Sequence, residues 1–178
     1  LKRFFNWADD QGLLTHENPT NHLRFMRRKA PTQPQALTKT DVHNLLRAAG
    51  QSSHGLSKRN YAILQLMLQS GLRIGEVIKL RFGDITLQAR SGSVNIVDGK
   101  GHKSREVPLN ITVRHALQNY FKQCKSKEPD DPVFHSKRQK RLSLRSMQSM
   151  IHSLVRRAKL TQPSVSAHTL RHTFATNY

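Results

Sequence analysis

The sequence predicts a mainly α-helical domain with one small three-stranded antiparallel sheet, an α+β arrangement. Two observations predict it. Apolar residues recur at helical spacing, with start and stop signals, before residue 81 and after residue 110. Between them the apolar spacing changes to two, interrupted by turn sequences. The 178 residues, 36% hydrophobic and 23% charged, are enough to bury a core, so the composition excludes a charge-dominated disordered chain.

The N-terminal part is predicted to lie outside the main domain. Residues 1–12 have the apolar spacing of the last turns of an amphipathic helix, ended by Gly12. We expect this helix to close a preceding domain that begins outside the sequence. Residues 13–36, with three prolines and a basic cluster, are expected to be a connector, and 37–178 the main domain.

The main domain is predicted to open with two helices. Thr38 and Asp41 have the spacing of a capping box, and Gly50 is expected to stop that helix. Ser57 is expected to cap the next helix, which is apolar nearly all round and therefore central. Gly71 should end it, and a short helix follows over 73–80.

The remaining elements are three strands and three helices. Strands are predicted near 85–87, 94–96 and 105–108, with turns at 90–92 and 99–103. The helices that follow are predicted over 110–124, over 143–160 with Ser143 as cap, and from about Ser166 to the chain end.

The charge points to a polyanionic partner. Thirty Lys and Arg against eleven Asp and Glu give a formal charge of +19. The clusters are the connector bases Arg24, Arg27, Arg28 and Lys29 and the C-terminal bases Lys137, Arg138, Lys140, Arg141, Arg145, Arg156, Arg157, Lys159 and Arg171. Such a footprint favours nucleic acid over a solvated basic surface that binds nothing. A membrane partner is not expected, because no apolar run approaches ~20 residues and no basic helix carries an insertion face.

The single cysteine, Cys124, excludes a disulfide framework and a cysteine-based zinc site. It fits a reducing compartment, and the first residues have no signal-peptide pattern, so we expect a cytoplasmic, nucleoid-associated protein.

Three short motifs hold groups suited to chemistry. In His-Thr-Leu-Arg-His at 168–172, the two histidines have the i, i+4 spacing of zinc ligands, but a metalloprotease Glu and further ligands are absent, so no metal is expected. A polar helix face is the plainer interpretation. A third interpretation of this motif is an anion site, because Arg171 offers a planar fork for phosphate oxygens beside His168, which can exchange a proton.

The other two motifs also place a cation where backbone can approach an anion. Gly-Leu-Arg-Ile-Gly-Glu at 71–76 sets Arg73 at a helix start, where it either binds an oxyanion or pairs with Glu76. Gly-Lys-Gly-His-Lys at 99–103 puts Lys100 between two glycines at a turn, without the spacing of a nucleotide-binding phosphate loop.

Taken in this order, 71–76, Asp-Gly-Lys-Gly-His-Lys-Ser-Arg-Glu-Val-Pro-Leu at 98–109 and His-Thr-Leu-Arg-His-Thr-Phe-Ala-Thr at 168–176 resemble the tyrosine recombinases of the lambda-integrase and Xer type. The resemblance runs from about Leu37 to the end of the chain, and residues 1–36 resemble the end of the family's core-binding domain. It implies the tyrosine-recombinase catalytic-domain fold and site-specific cleavage and rejoining of DNA through a 3′-phosphotyrosine, without a cofactor or metal.

The resemblance also implies roles for single residues. Arg73 and Arg171 would clamp the oxygens of the scissile phosphate, Lys100 would protonate the departing 5′ oxygen, and His168 would assist proton movement. The supporting residues would be Glu76 and His172, the latter in packing or support.

The nucleophilic tyrosine is the point of departure. In the family it lies several turns beyond the His-x-x-Arg motif, whereas Tyr178 is only seven residues past Arg171. Tyr61 and Tyr120 fall in predicted helices of another region. We therefore expect no nucleophile within this chain, which should bind double-stranded DNA without cleaving it.

The DNA-binding prediction covers the polar stripe of the 143–160 helix and the basic residues that follow Lys100 in the sequence. Arg145 and Gln148 are candidates for base edges, Arg156 and Lys159 for phosphates. The full predicted set is Arg145, Gln148, His152, Arg156, Lys159, Lys103 and Arg105.

Two other functions fit the charge: a non-catalytic basic DNA- or RNA-binding module, and a degenerate recombinase that regulates without cutting. The first of these does not explain why Arg73, Lys100, His168 and Arg171 follow one another in the recombinase order. The full-length protein is expected to act as a tetramer on two DNA sites, and this chain as a monomer.

Overall fold

The computed structural model describes residues 1–23, 36–51, 55–97, 104–160, 162 and 165–177. The chain divides into two compact units, Leu1–Gln33 and Pro34–Tyr178. In the first, helix α1 (Lys2–Asp10) is slightly shorter than predicted, and Asn18 Nδ2 donates a hydrogen bond of 3.2 Å to Asn6 Oδ1. The division into 1–12, 13–36 and 37–178 stays a prediction, because much of the connector lies outside the described residues.

The second unit opens with helix α2 (Lys39–Gly50), which has the predicted capping box. Thr38 Oγ1 accepts from the Asp41 amide at 3.1 Å, and the Asp41 carboxylate accepts from the Thr38 amide at 3.4 Å. These bonds satisfy amides that a helix start leaves without a partner. The expected cap at the next helix is wrong: α3 (Ser57–Ser70) has Leu56 at the capping position and no side-chain cap, because Ser57 already lies in its first turn.

Helix α3 is the centre of the domain, as its apolar sequence predicts. Ile63, Leu64, Leu66 and Met67 are fully buried. The helix packs against α2 and against two later helices, α5 (Ile111–Phe121) and α7 (Ala167–Asn177). Gly71 then ends α3 in the left-handed conformation, with φ of 60°. The short helix α4 (Ile74–Lys79) follows directly.

The predicted three-stranded sheet is confirmed. Strands β1 (Ile85–Leu87), β2 (Gly92–Val97) and β3 (Ser104–Pro108) are antiparallel in the order β1-β2-β3. Val94 and Ile96 point into the core, in agreement with the period of two. A 3₁₀ turn, Phe82–Asp84, leads from α4 into the sheet.

The helices predicted over 110–124 and 143–160 begin within one residue of the prediction and end earlier than expected. Asn110 caps α5 and Ser143 caps α6 (Leu144–Arg157), each accepting from an amide three residues on, at 3.0 Å and 3.1 Å. Lys159, which was expected on α6, therefore lies beyond its end and has φ of 52°. Met147, Ile151 and Leu154 form the buried face of α6.

Between α5 and α6 the structure contains a hairpin that was not predicted. His135 and Arg141 form a β-bridge, and the Ser136 amide donates to the Lys140 carbonyl at 2.7 Å. We call residues 135–141 the basic hairpin. Just before it, the buried Phe134 ring stacks on Tyr120 with ring centroids 5.5 Å apart.

Within the described part of the chain, no helix is long and apolar enough to cross a membrane.

Candidate active site

An open cleft of about 1020 Å³ is lined by four of the predicted site residues. Arg73, Glu76, His168 and Arg171 all line it. They come from two places, the α3–α4 corner and the start of α7, which lie about 100 residues apart in the sequence. The fold thus brings together two motifs that are separate in the chain.

The α3–α4 corner presents Arg73 to solvent. Gly71 makes the left-handed turn, Leu72 is fully buried, and Arg73 occupies the position that precedes the first turn of α4. Its side chain is 60% exposed. Burial of the neighbouring Leu72 fixes the backbone, so Arg73 is held at its base while its guanidinium stays accessible.

Glu76 anchors that guanidinium. Its carboxylate accepts 2.8 Å from the Arg73 amide and 3.0 Å from Arg73 Nη1, and it is only 14% exposed. Burial alone would raise the pKa of Glu76, but the hydrogen bonds from Arg73 and Arg105 outweigh it and hold the pKa below its ordinary value. The Glu76 carboxylate is therefore ionised at neutral pH.

Arg105 is the second partner of Glu76. Its Nη2 donates to Glu76 Oε2 at 2.8 Å, across 29 residues of sequence. Arg105 is predicted to contact DNA, and its contact with Glu76 was not predicted, because no local pattern in the sequence links β3 to α4. The side chain is 40% exposed, so the DNA-binding prediction for Arg105 stays a prediction.

Helix α7 carries the other half of the site. Arg171 Nη1 donates a hydrogen bond to the carbonyl of Gly71, and His168 is exposed at the cleft. The helix is fixed behind them by buried threonines: Thr173 Oγ1 accepts 2.9 Å from the Leu37 amide, and Thr169 Oγ1 accepts 3.1 Å from the Ser166 amide. Two of the charged or titratable side chains of α7, His168 and Arg171, thus line the cleft.

His172 does not share that position. It is exposed and does not line the cleft. Neighbouring Thr173 lies on the buried face of α7, and the packing or supporting role of His172 stays a prediction.

Lys100 and Lys103, the connector bases Arg24, Arg27, Arg28 and Lys29, and Tyr178 lie outside the described residues. Their predicted roles stay predictions.

The polar stripe predicted on the 143–160 helix is a surface separate from the cleft. All its members are exposed and none lines the cleft; they are Arg145, Gln148, His152, Arg156 and Lys159. The exposure is what a DNA-binding face requires, while the contacts themselves stay predictions.

The cleft also contains charged residues that the sequence did not single out as site residues. Arg141, from the basic hairpin, lines it, as do Asp84, Asp130 and Arg81, with Arg81 Nη1 2.6 Å from Asp130 Oδ1. For Arg141, the sequence feature that could have indicated it is the basic run that ends at this residue. In total, five basic and three acidic side chains line the cleft, so an anion is favoured over a cation.

No tyrosine among the described residues lines the cleft. Tyr120 is buried, with its hydroxyl donating 3.0 Å to the Val133 carbonyl, and burial raises its pKa above the ordinary value. Tyr61 accepts from Gln65 at 2.9 Å. Nor do three His, Cys, Asp or Glu side chains in the described ranges lie close enough together to hold a metal ion.

Comparison with known proteins supports the resemblance. The phage integrase family model matches residues 35–178. Tyrosine recombinase XerD of Listeria innocua serovar 6a is 30% identical over 186 residues, covering 99% of this chain and 59% of that protein. Tyrosine recombinase XerC of Caldanaerobacter subterraneus subsp. tengcongensis is 30% identical over 178 residues, covering 99% and 48%. The chain spans about half the length of these curated relatives.

Solved structures agree on the fold. The crystal structure of XerA recombinase has a TM-score of 0.71 at 28% identity, covering 99% of this chain and 59% of that one. A lambda integrase dimer bound to a COC′ core site has a TM-score of 0.71 at 18% identity, covering 97% and 61%. The match over 35–178 exceeds half of the chain, and its named relatives are Xer enzymes, so the chain belongs to the phage integrase family, the tyrosine recombinases.

Proposed function

We propose that this chain is the DNA-binding and catalytic part of a site-specific tyrosine recombinase. It binds duplex DNA with one phosphodiester in the cleft, and the whole protein cleaves and rejoins that strand. The observation that carries the proposal is the convergence of Arg73, His168 and Arg171 on a single cleft.

The two arginines suit a phosphoryl-transfer transition state. Attack on phosphorus makes it pentacovalent and increases the charge on its equatorial oxygens. Two guanidiniums already held in place therefore stabilise the transition state more than the ground state. Arg73 is held by Glu76, and Arg171 by the Gly71 carbonyl, so each is oriented by one contact and keeps further N–H groups for phosphate oxygens.

The proton steps involve His168 and Lys100. In the forward step the tyrosine oxygen forms a bond to phosphorus, and its proton passes to His168. The bond from phosphorus to the 5′ oxygen breaks, and that oxygen takes a proton from Lys100. The product is a 3′-phosphotyrosine and a free 5′ hydroxyl, so the phosphodiester energy is kept for rejoining. The tyrosine comes from a part of the whole protein beyond Arg171.

Duplex DNA is the proposed partner. XerH recombinase bound to a difH substrate shares this fold, as does the lambda integrase dimer on its core site. The formal charge of +19 is consistent with a DNA partner. The whole protein then acts as a tetramer on two sites in the cytoplasm, whereas this chain alone is a monomer.

Covalent trapping tests the activity. Full-length protein is used to select its site from random duplexes, and a nicked version of that site then traps the SDS-resistant adduct. Arg171→Ala should slow adduct formation by ~10²–10³, by analogy with loss of one oxyanion donor. Arg90→Ala, an exposed arginine away from the cleft, is the control and should form the adduct at the wild-type rate.

Two results overturn the proposal. Binding of the selected site without any adduct would identify a degenerate regulator. An adduct that forms equally well in Arg171→Ala would place the chemistry elsewhere.

A further inference from the structure

The basic hairpin carries an exposed positive surface beside the cleft. We propose that this hairpin is a second phosphate-contacting element, which holds the duplex next to the phosphodiester bound in the cleft. The inference rests on the proposed function, because it requires that the chain bind DNA. None of the hairpin residues belongs to the DNA-binding set predicted from the sequence.

The tip of the hairpin has a defined backbone. The Ser136 amide donates to the Lys140 carbonyl at 2.7 Å, and the Gln139 amide donates to the Ser136 carbonyl at 3.1 Å. Gln139 takes the left-handed conformation, with φ of 57°, that closes the turn. Because these bonds fix the main chain, little backbone entropy is lost when the tip meets a ligand.

The base of the hairpin is anchored in the core. Phe134 is buried against Tyr120, and the Val133 amide donates 2.9 Å to the Leu80 carbonyl at the end of α4. Arg59 of α3, itself 6% exposed, donates from Nη1 to the His135 carbonyl at 2.6 Å. The hairpin is thus tied to α3 and α4, the two helices that position Arg73.

The charges on the hairpin are available. Lys137, Arg138, Lys140 and Arg141 are all exposed, and none forms an ion pair within the part of the chain that the structure describes. Arg81, by contrast, pairs with Asp130. Four exposed bases within five residues favour an extended anion over a single carboxylate.

The position of Arg141 indicates which kind of anion the basic hairpin binds. It belongs to the hairpin and also lines the cleft with Arg73 and Arg171. A ligand that enters the cleft through one phosphate and continues past Arg141 must carry further charges at close, regular spacing. Duplex DNA has them, at about one phosphate per 3.4 Å of axis on each strand.

The test is the salt dependence of binding to a mixed-sequence duplex. The triple variant Lys137→Ala/Arg138→Ala/Lys140→Ala removes the tip charges and leaves Arg141 in place. If each base neutralises one phosphate, the slope of log K against log salt should fall by about 2–3 units. The matched control is Lys122→Ala/Lys125→Ala/Lys127→Ala, which removes three exposed positive charges after α5 and should keep the wild-type slope.

A charge-conserving variant, Lys137→Arg/Arg138→Lys/Lys140→Arg, guards against misfolding and should also keep the wild-type slope. Equal slopes for the hairpin variant and the wild type would overturn the inference. So would an equal loss in the hairpin and control triples, which would indicate a diffuse charge effect. If the wild type binds no duplex DNA, the proposed function fails as well.

Discussion

Arg171 donates a hydrogen bond to the main-chain carbonyl of Gly71, one hundred residues earlier in the sequence. Gly71 is also the left-handed residue that ends α3, two positions before Arg73. One peptide therefore positions both arginines of the proposed site.

Gly71→Ala should be strongly destabilising. A Cβ at this position would overlap the Phe174 ring, and the left-handed conformation disfavours any side chain. The left-handed penalty of ~1–2 kcal/mol and an overpacking cost of ~1–3 kcal/mol together give a loss of about 2–5 kcal/mol. Urea unfolding measures it.

Gly55→Ala separates these two causes. Gly55 has a similar φ of 67°, but a Cβ there would have no atom within 4 Å. It should cost only the left-handed penalty, about 1–2 kcal/mol. Equal losses for both variants would show that the Phe174 ring yields and does not fix the turn.

Glu76→Gln should make stability less sensitive to acid. The folded pKa of Glu76 lies below its ordinary 4.5, so the carboxylate contributes stability at neutral pH that is lost as the pH falls through the folded value. The variant should be less stable by about 1–2 kcal/mol at pH 7, and the difference should shrink below pH about 4.5. Unfolding at several pH values, with Glu106→Gln as the exposed control, measures it. A constant difference from pH 7 to pH 3 would contradict this role of Glu76.

Arg105→Ala should raise the pKa of Glu76 towards its ordinary value, because it removes a 2.8 Å hydrogen bond from a cation. Carboxyl ¹³C shifts followed during an acid titration report this directly. Arg81→Ala removes an arginine of a different ion pair and should leave the Glu76 titration where it is in the wild type. The Arg105→Lys variant keeps a cation at this position and should therefore retain part of the lowering of the Glu76 pKa.

Lys159→Gly should stabilise the protein. Lys159 follows α6 in the left-handed conformation, and the Lys159 and Leu160 amides donate back to Arg156 and Val155 at 3.2 Å and 3.4 Å, a helix end that favours glycine. Relief of the left-handed strain, less the extra entropy of glycine in the unfolded chain, leaves a gain of about 0.5–1 kcal/mol. Lys159→Ala keeps the Cβ and should show no gain in thermal unfolding.

Lys159→Ala should still weaken DNA binding. If the ammonium contacts a phosphate, the slope of log K against log salt should fall by about one unit. The control is Arg157→Ala, which removes an equal charge two residues earlier, from a side chain outside the predicted stripe. An unchanged slope in Lys159→Ala would remove Lys159 from the DNA-binding face.

The sequence by itself determined the α-helices and the three strands and their order, but not the basic hairpin. The Thr38–Asp41 capping box, the glycine at 71 and the period of two in β2 act over a few residues, so their local chemistry is enough to predict them. The three motifs around Arg73, Lys100 and Arg171 likewise resemble one family in their order alone, before any contact between them is known.

Only the tertiary structure decided which side chains meet. The Arg105–Glu76 pair joins residues 29 apart, and the basic hairpin rests on Arg59, 76 residues before the carbonyl it contacts. The conformation of Lys159 and the exposure of His172 depend in the same way on how α6 ends and how α7 packs. These features follow from packing between distant segments, and spacing along one segment carries no information about the surface that covers it.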